Sequence, residues 1–238
     1  MKTPVDADSL SPDMMSMLIN VVHFKERWDL FFDPEKIKER DFHINKTTVI
    51  KKKMMWLNPN FTRFHLVRYL ELPELNAKLI ALPFLKVGLQ MVIFLPDEVD
   101  GLSDLIAKIQ DTEHKVVTDY IDQAIYSRAV NLELEMPMFE IRNTLKLNDI
   151  LKKMGVPKIF EVPATGIANN ETVKLSQVVL DAFIKIDDQG TEEYKIKYWE
   201  VNRIFNVRPE KNHITVDHPF LFVISRYTEL QFVGTYTQ

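Results

Sequence analysis

Apolar positions along this chain recur at two spacings, one suited to strands and one to helices. Residues 14–25 are dense in Met, Val, Leu and Ile and predict a buried strand. Residues 42–50 alternate and predict another, ending in the basic run Lys51 to Lys53. Residues 66–72 and 78–83 flank the turn-like Pro73-Glu74 and predict a hairpin. Residues 89–95 form an apolar strand stopped by Pro96-Asp97. Leu102, Leu105, Ile106 and Ile109 then repeat at helical spacing, with Asp100 or Ser103 as the expected cap. A second helix is predicted over 114–125 and a strand over 130–136. Residues 145–154 predict a helix ended by Gly155. A strand over 173–186 precedes the unpatterned stretch 190–213. Residues 218–225 and 231–237 close the chain as strands around a turn at 226–229. The count is roughly ten strands and three helices, partly segregated, which favours an α+β class over a doubly wound parallel sheet.

Composition narrows the chemistry. With 238 residues, 46% hydrophobic and 27% charged, the chain is long enough for a sizeable core. A formal net charge of −4 gives no argument for a nucleic-acid partner. The absence of cysteine excludes disulfides, thiolate metal sites and a cysteine nucleophile. Six glycines form no phosphate-binding loop, so no nucleotide cofactor is expected. No apolar run reaches the length of a membrane span. The start, Met1-Lys2-Thr3-Pro4-Val5-Asp6, has no signal-peptide core. Three N-x-[ST] triplets begin at Asn45, Asn60 and Asn170. They point to a secreted, glycosylated parent, and equally read as ordinary polar surface.

The titratable residues do not assemble into a catalytic motif. His23, His43, His65, His114, His213 and His218 are scattered, without HExxH or a helical pair, so no metal is expected. No serine lies in a GxSxG elbow. Asp187, Asp188, Glu192 and Glu193 read as a solvated acidic stretch before they read as a catalytic pair. Lys51 to Lys53 read as a solvated strand end. No enzyme is predicted.

An ordered set of short motifs does carry a resemblance. The run Leu18-Ile19-Asn20-Val21-Val22-His23-Phe24-Lys25-Glu26-Arg27-Trp28 resembles a serpin segment, with Asn20, Phe24, Lys25 and Trp28 at its motif positions. Phe32-Asp33-Pro34, Met54-Met55, Leu82-Pro83-Phe84, Met91 to Pro96 and Leu134 to Phe139 follow in the same order. Gly166-Ile167 fits the segment before the next strand. Gly190, Thr191, Glu192 and Glu193 resemble the serpin hinge, and Pro219 and Phe220 its closing strands. The resemblance covers almost the whole chain. It implies a single partial serpin domain over 1–238 with a reactive-centre loop at about 190–215. It also implies a serine protease partner, extracellular localisation and no enzymatic activity. In such proteins a protease cleaves the loop, which then inserts as a new strand and traps the acyl-enzyme. Counting from the hinge places the reactive bond at Arg203-Ile204, suited to a trypsin-like protease.

Three departures qualify that expectation. The family's N-terminal helices have no counterpart, which predicts exposed apolar strand faces and either an N-terminal serpin fragment as partner or self-association. The loop has Glu193, Lys195 and Lys197 where small residues are usual; buried on insertion, such charges would each cost several kcal/mol. This opens a non-inhibitory alternative, a binding protein or protease decoy. Finally, Leu180 occupies the place of a histidine that pairs with Asn20, so a buried Asn20 would lose about 1–3 kcal/mol.

Overall fold

The computed structural model describes residues 14–57, 67–111, 115–128, 130, 132–162, 164–168, 171–189 and 212–238. The hinge residues Gly190, Thr191, Glu192 and Glu193, the bond Arg203-Ile204, and Asn60 and Asn170 lie outside them. The chain divides into two compact units. One is Met1–Lys25 with Phe139–Ile186, and the other is Glu26–Met138 with Asp187–Gln238.

The second unit carries the larger core. Strands β2 (Lys38–His43), β3 (Val49–Leu57), β4 (Arg68–Leu72), β5 (Ala77–Pro83) and β6 (Leu89–Pro96) precede helices α1 (Leu102–Asp111) and α2 (Lys115–Tyr126). Strand β7 (Leu132–Pro137) follows, and β12 (Asn212–Thr215), β13 (Phe220–Arg226) and β14 (Glu229–Tyr236) complete the unit. One sheet has the order β14-β13-β6-β5-β4 and another β12-β7-β3-β2. Strands β5, β6 and β13 are buried on both faces, which explains their nearly unbroken apolar sequences. Leu102, Leu105, Ile121 and Ala124 of the helices pack on Leu79, Val92, Phe94 and Val223 of one face. On the other face Tyr236 meets Phe42 and Phe220, at ring-centroid distances of 5.3 and 5.4 Å. The edge strand β2 is blunted by Lys38, Glu39, Arg40 and Asp41.

The first unit is built on a three-stranded sheet, β1 (Met17–Phe24), β11 (Gln177–Ile186) and β8 (Phe139–Lys146), in that order. Helices α3 (Asn148–Lys153) and α4 (Lys158–Glu161) and the pair β9 (Ala164–Ala168) and β10 (Glu171–Val173) connect β8 to β11. Helix α3 ends as its sequence predicts. Gly155 has φ +90°, its N–H reaches Lys152 O at 3.1 Å, and the Val156 N–H reaches Leu151 O at 3.0 Å.

Four sequence expectations are corrected. The strand at 14–25 is not buried: Leu18 is 56% exposed, and Ile19 and Val21 are each 43% exposed. Its apolar composition resembles that of a core strand, but only β11 pairs with it among the described residues. The strand read over 42–50 is a hairpin turn, because Asn45 Oδ1 accepts the N–H groups of Thr47 and Thr48 and reverses the chain. Lys51 to Lys53 therefore lie within β3. The helix read over 145–154 begins three residues late, since Leu145 pairs with Leu180 in the ladder. The strand over 173–186 is broken at 174–176.

Gly234 tests how tightly the second unit is packed. A Cβ there would sit 2.6 Å from Cζ of the buried Phe222 ring. The substitution Gly234→Ala is expected to destabilise the fold by about 1–3 kcal/mol through overpacking, read as a lower denaturant midpoint at unchanged slope.

Candidate functional site

Two anchors within the second unit flank residues 190–211 in the sequence. The first is built on Trp28, which is 1% exposed. Its indole stacks on Phe84 at 4.3 Å and 14°. The flanking backbone is tied down as well: Asp29 N–H bonds to Pro83 O at 3.0 Å and Leu85 N–H to Arg27 O at 2.8 Å. Two donors then remain for the segment's start. Trp28 Nε1–H bonds to Asp187 O at 2.7 Å, and Trp28 N–H to Gln189 O at 3.0 Å. Asp187 Oδ1 accepts the Gln189 N–H at 3.2 Å, closing a turn just before Gly190. Asp187 thus shapes that turn, and no catalytic carboxylate pair is needed to explain it.

The second anchor is β12 and the four residues after it. Strand β12 runs parallel to β7, from Asn212 opposite Leu132 to Thr215 opposite Glu135. The Val216 N–H extends this ladder to Glu135 O at 2.8 Å. His43 N–H bonds to Asp217 O at 2.7 Å. The buried His218 ring contacts Asp217 Oδ1 through Nδ1 and Pro96 O through Nε2, both at 2.8 Å. Pro219 and Phe220 are buried, and β13 begins at Phe220. Burial pushes the Asp217 carboxyl up, but the hydrogen bond and charge of His218 and the nearby His43 outweigh it. The group is held below the usual carboxylate range.

The first unit has two seams of different strength. Between β11 and β8 the ladder is antiparallel over eight residue pairs. Arg142 clamps it from one face, donating to Asp181 Oδ1 from Nε at 3.1 Å and to Oδ2 from Nη2 at 2.7 Å. Thr144 Oγ1 adds a bond to Asp181 Oδ1 at 2.9 Å. Hydrogen bonds from Arg142 and Thr144 hold the Asp181 carboxyl below its usual range against the opposing desolvation. The β1–β11 seam is parallel, from Met17 opposite Gln177 to Phe24 opposite Ile184. Parallel pairing is slightly weaker per residue. This seam is latched at its start, where Met15 N–H bonds to Ser176 Oγ, Ser16 Oγ to Lys174 O, and Ser176 N–H to Ser16 O.

The sequence-predicted residues thus divide. Trp28, Pro219 and Phe220 belong to the anchors, while Phe24 is buried at the end of β1 and Lys25 is exposed. Asn20 stands opposite Leu180, the alignment expected, but it is exposed, so the burial cost does not arise. The Asp181 clamp was missed, although the alternation of Phe139, Ile141 and Leu145 marks a strand whose other face carries Arg142 and Thr144. No group of three His, Cys, Asp or Glu among the described residues is placed to hold a metal. No helix among them is long and apolar enough to cross a membrane.

The comparisons with known proteins agree on one relationship. A family model described as "Serpin (serine protease inhibitor)" matches residues 1–238. Antichymotrypsin-2 of Bombyx mori is 30% identical over 94% of this chain and 57% of its own length. Antitrypsin of Bombyx mori is 32% identical over 80% of this chain and 46% of its own. The crystal structure of Serpin48, described as a highly specific serpin in the insect Tenebrio molitor, superposes with a TM-score of 0.74. It is 27% identical and is matched over 99% of this chain and 59% of its own. The chain therefore spans about half to three-fifths of the length of these relatives.

Two outcomes follow from the geometry. Trp28→Phe keeps the stack but deletes the bond to Asp187 O. Amide exchange at 187–189 is expected to accelerate, by about fivefold for roughly 1 kcal/mol lost, while β5 and β6 stay protected. Asp181 and Asp217 both have folded-state pKa values below their unfolded ones. Their stabilisation is complete above about pH 4 and is lost as pH falls through the lower folded values. Asp181→Asn is expected to flatten the acid limb of a stability-versus-pH curve measured by denaturant unfolding.

Proposed function

The chain belongs to the serpin family of serine protease inhibitors, and we propose that residues 190–211 act as its reactive loop, bait for a trypsin-like serine endopeptidase cutting Arg203-Ile204. The observation that carries this reading is the pair of anchors. Asp187 to Gln189 and Val216 to His218 are each bonded into the same compact unit, so the intervening segment is tethered at both ends. The protein acts on its partner by binding and being cut, outside the cell, and catalyses nothing itself.

The β1–β11 seam supports a place for the cut loop. A strand entering there would exchange one parallel ladder for two antiparallel ones. The Asp181 clamp would hold β11 to β8 while β1 parted. The opposing cost is charge. Glu193, Lys195 and Lys197 alternate onto the face that Thr191 would bury, at several kcal/mol for each unpaired charge. Insertion is therefore slow relative to hydrolysis of the acyl-enzyme, and much of the protein is consumed as a substrate. This is the observation that favours the second reading, a decoy that is cut without trapping. Exposed Leu18, Ile19 and Val21 on β1 support association with a further serpin segment or a second copy.

Incubation with trypsin and a denaturing gel separates the readings. The expected result is a minor SDS-stable complex beside a major cleaved band, the complex increasing several-fold in a variant with Ala at 193, 195 and 197. No complex from either protein, with no gain in thermal stability after cleavage, would establish the decoy instead.

A further inference from the structure

The turn joining β2 to β3 contains the triplet Asn45-Lys46-Thr47, and its geometry separates the two ends of the Asn45 amide. Oδ1 is the hub of the turn. It accepts the Thr47 N–H at 2.9 Å, the Thr47 hydroxyl at 2.9 Å and the Thr48 N–H at 2.8 Å. Among the described residues, every hydrogen bond of this side chain goes to the oxygen. Among these residues the amide nitrogen Nδ2 has no acceptor. Lys46, Thr47 and Thr48 are exposed, and Asn45 is half-buried. The backbone closes the same turn, with Ile44 N–H on Thr48 O at 2.9 Å. Lys46 N–H is held by Asp100 Oδ1 at 3.2 Å.

We propose that Asn45 is an N-glycosylation site, carrying an oligosaccharide on Nδ2, and that the folded turn is built to retain it. In the transfer, Nδ2 bonds to C1 of a sugar supplied as a lipid-pyrophosphate-linked oligosaccharide. The C1–oxygen bond to the pyrophosphate breaks and the leaving group takes the electron pair. One amide proton is released. The product is a secondary amide whose oxygen is unchanged, so all three bonds to Oδ1 survive glycosylation. The side-chain contacts span only two or three residues, so they require no tertiary structure and are available to a nascent chain. Carbohydrate at this tip would stand at the end of edge strand β2 and reinforce the charges that already discourage edge-to-edge pairing.

The proposal rests on the extracellular reading above for its occurrence in the native protein. The competence of the site is tested independently, by producing the chain behind an added signal sequence in a eukaryotic secretory host. Treatment with peptide N-glycosidase is expected to lower the mass of the secreted protein and to convert Asn45 to aspartate in the tryptic peptide. Thr47→Val keeps both backbone bonds to Oδ1 and should remove one glycan from the mass without loss of folded protein. Asn45→Gln should lose the same glycan. A secreted protein whose Asn45 peptide is wholly unmodified would overturn the proposal, whether or not Asn60 or Asn170 carries sugar. Glycosylation at Asn45 in this host, combined with an intracellular native protein, would uphold the site and overturn only the localisation.

Discussion

The indole of Trp28 is the contact on which the proposed loop attachment depends. Stacking on Phe84 buries it at the end of β5, and burial makes its N–H costly to leave unpaired. The only economical solution is an acceptor brought close from elsewhere in the chain, and Asp187 O supplies it. The backbone N–H of the same residue takes Gln189 O. One side chain thus connects an apolar core to the residues just before the hinge. The requirement is stereochemical as well as apolar: Phe would fill the space but has no donor.

The first unit joins its middle strand β11 to its two neighbours in different ways. Between β11 and β8, ladder bonds are joined by a bidentate arginine–carboxylate pair and a threonine hydroxyl. Between β1 and β11, the ladder is parallel, and its side-chain bonds gather at the Ser16–Ser176 end. At the Phe24–Ile184 end the contact is between rings, with His23 and Phe183 at a centroid distance of 4.9 Å. A strand that enters there must be small and uncharged to gain what the ladder offers. The sequence 192–197 opposes that requirement.

Much of this was legible in the residues. The strands β5, β6 and β13 followed from their apolar runs, and the stop after α3 from Gly155; that these three strands are buried on both faces came only with the packing. The ordered motifs around Asn20, Trp28 and Phe220 identified the family. The errors share a cause. The apolar run at 14–25 specified a strand, yet composition could not say which neighbours cover it, and β1 lies open. Asn20 was misjudged for the same reason, its partner position being right and its burial wrong. At 42–50 the apolar alternation concealed a turn whose signal was the Asn45 side chain.

By itself the sequence determined the periodicity, the turn chemistry and the family, because each depends on residues close along the chain or on their order. Tertiary structure alone decided which donors meet which acceptors. Trp28 and Asp187 are 159 positions apart, and Arg142 and Asp181 are 39 apart. No local pattern encodes such a pairing. It exists because folding takes Trp28 and Asp181 out of water and brings each a partner from a distant part of the chain.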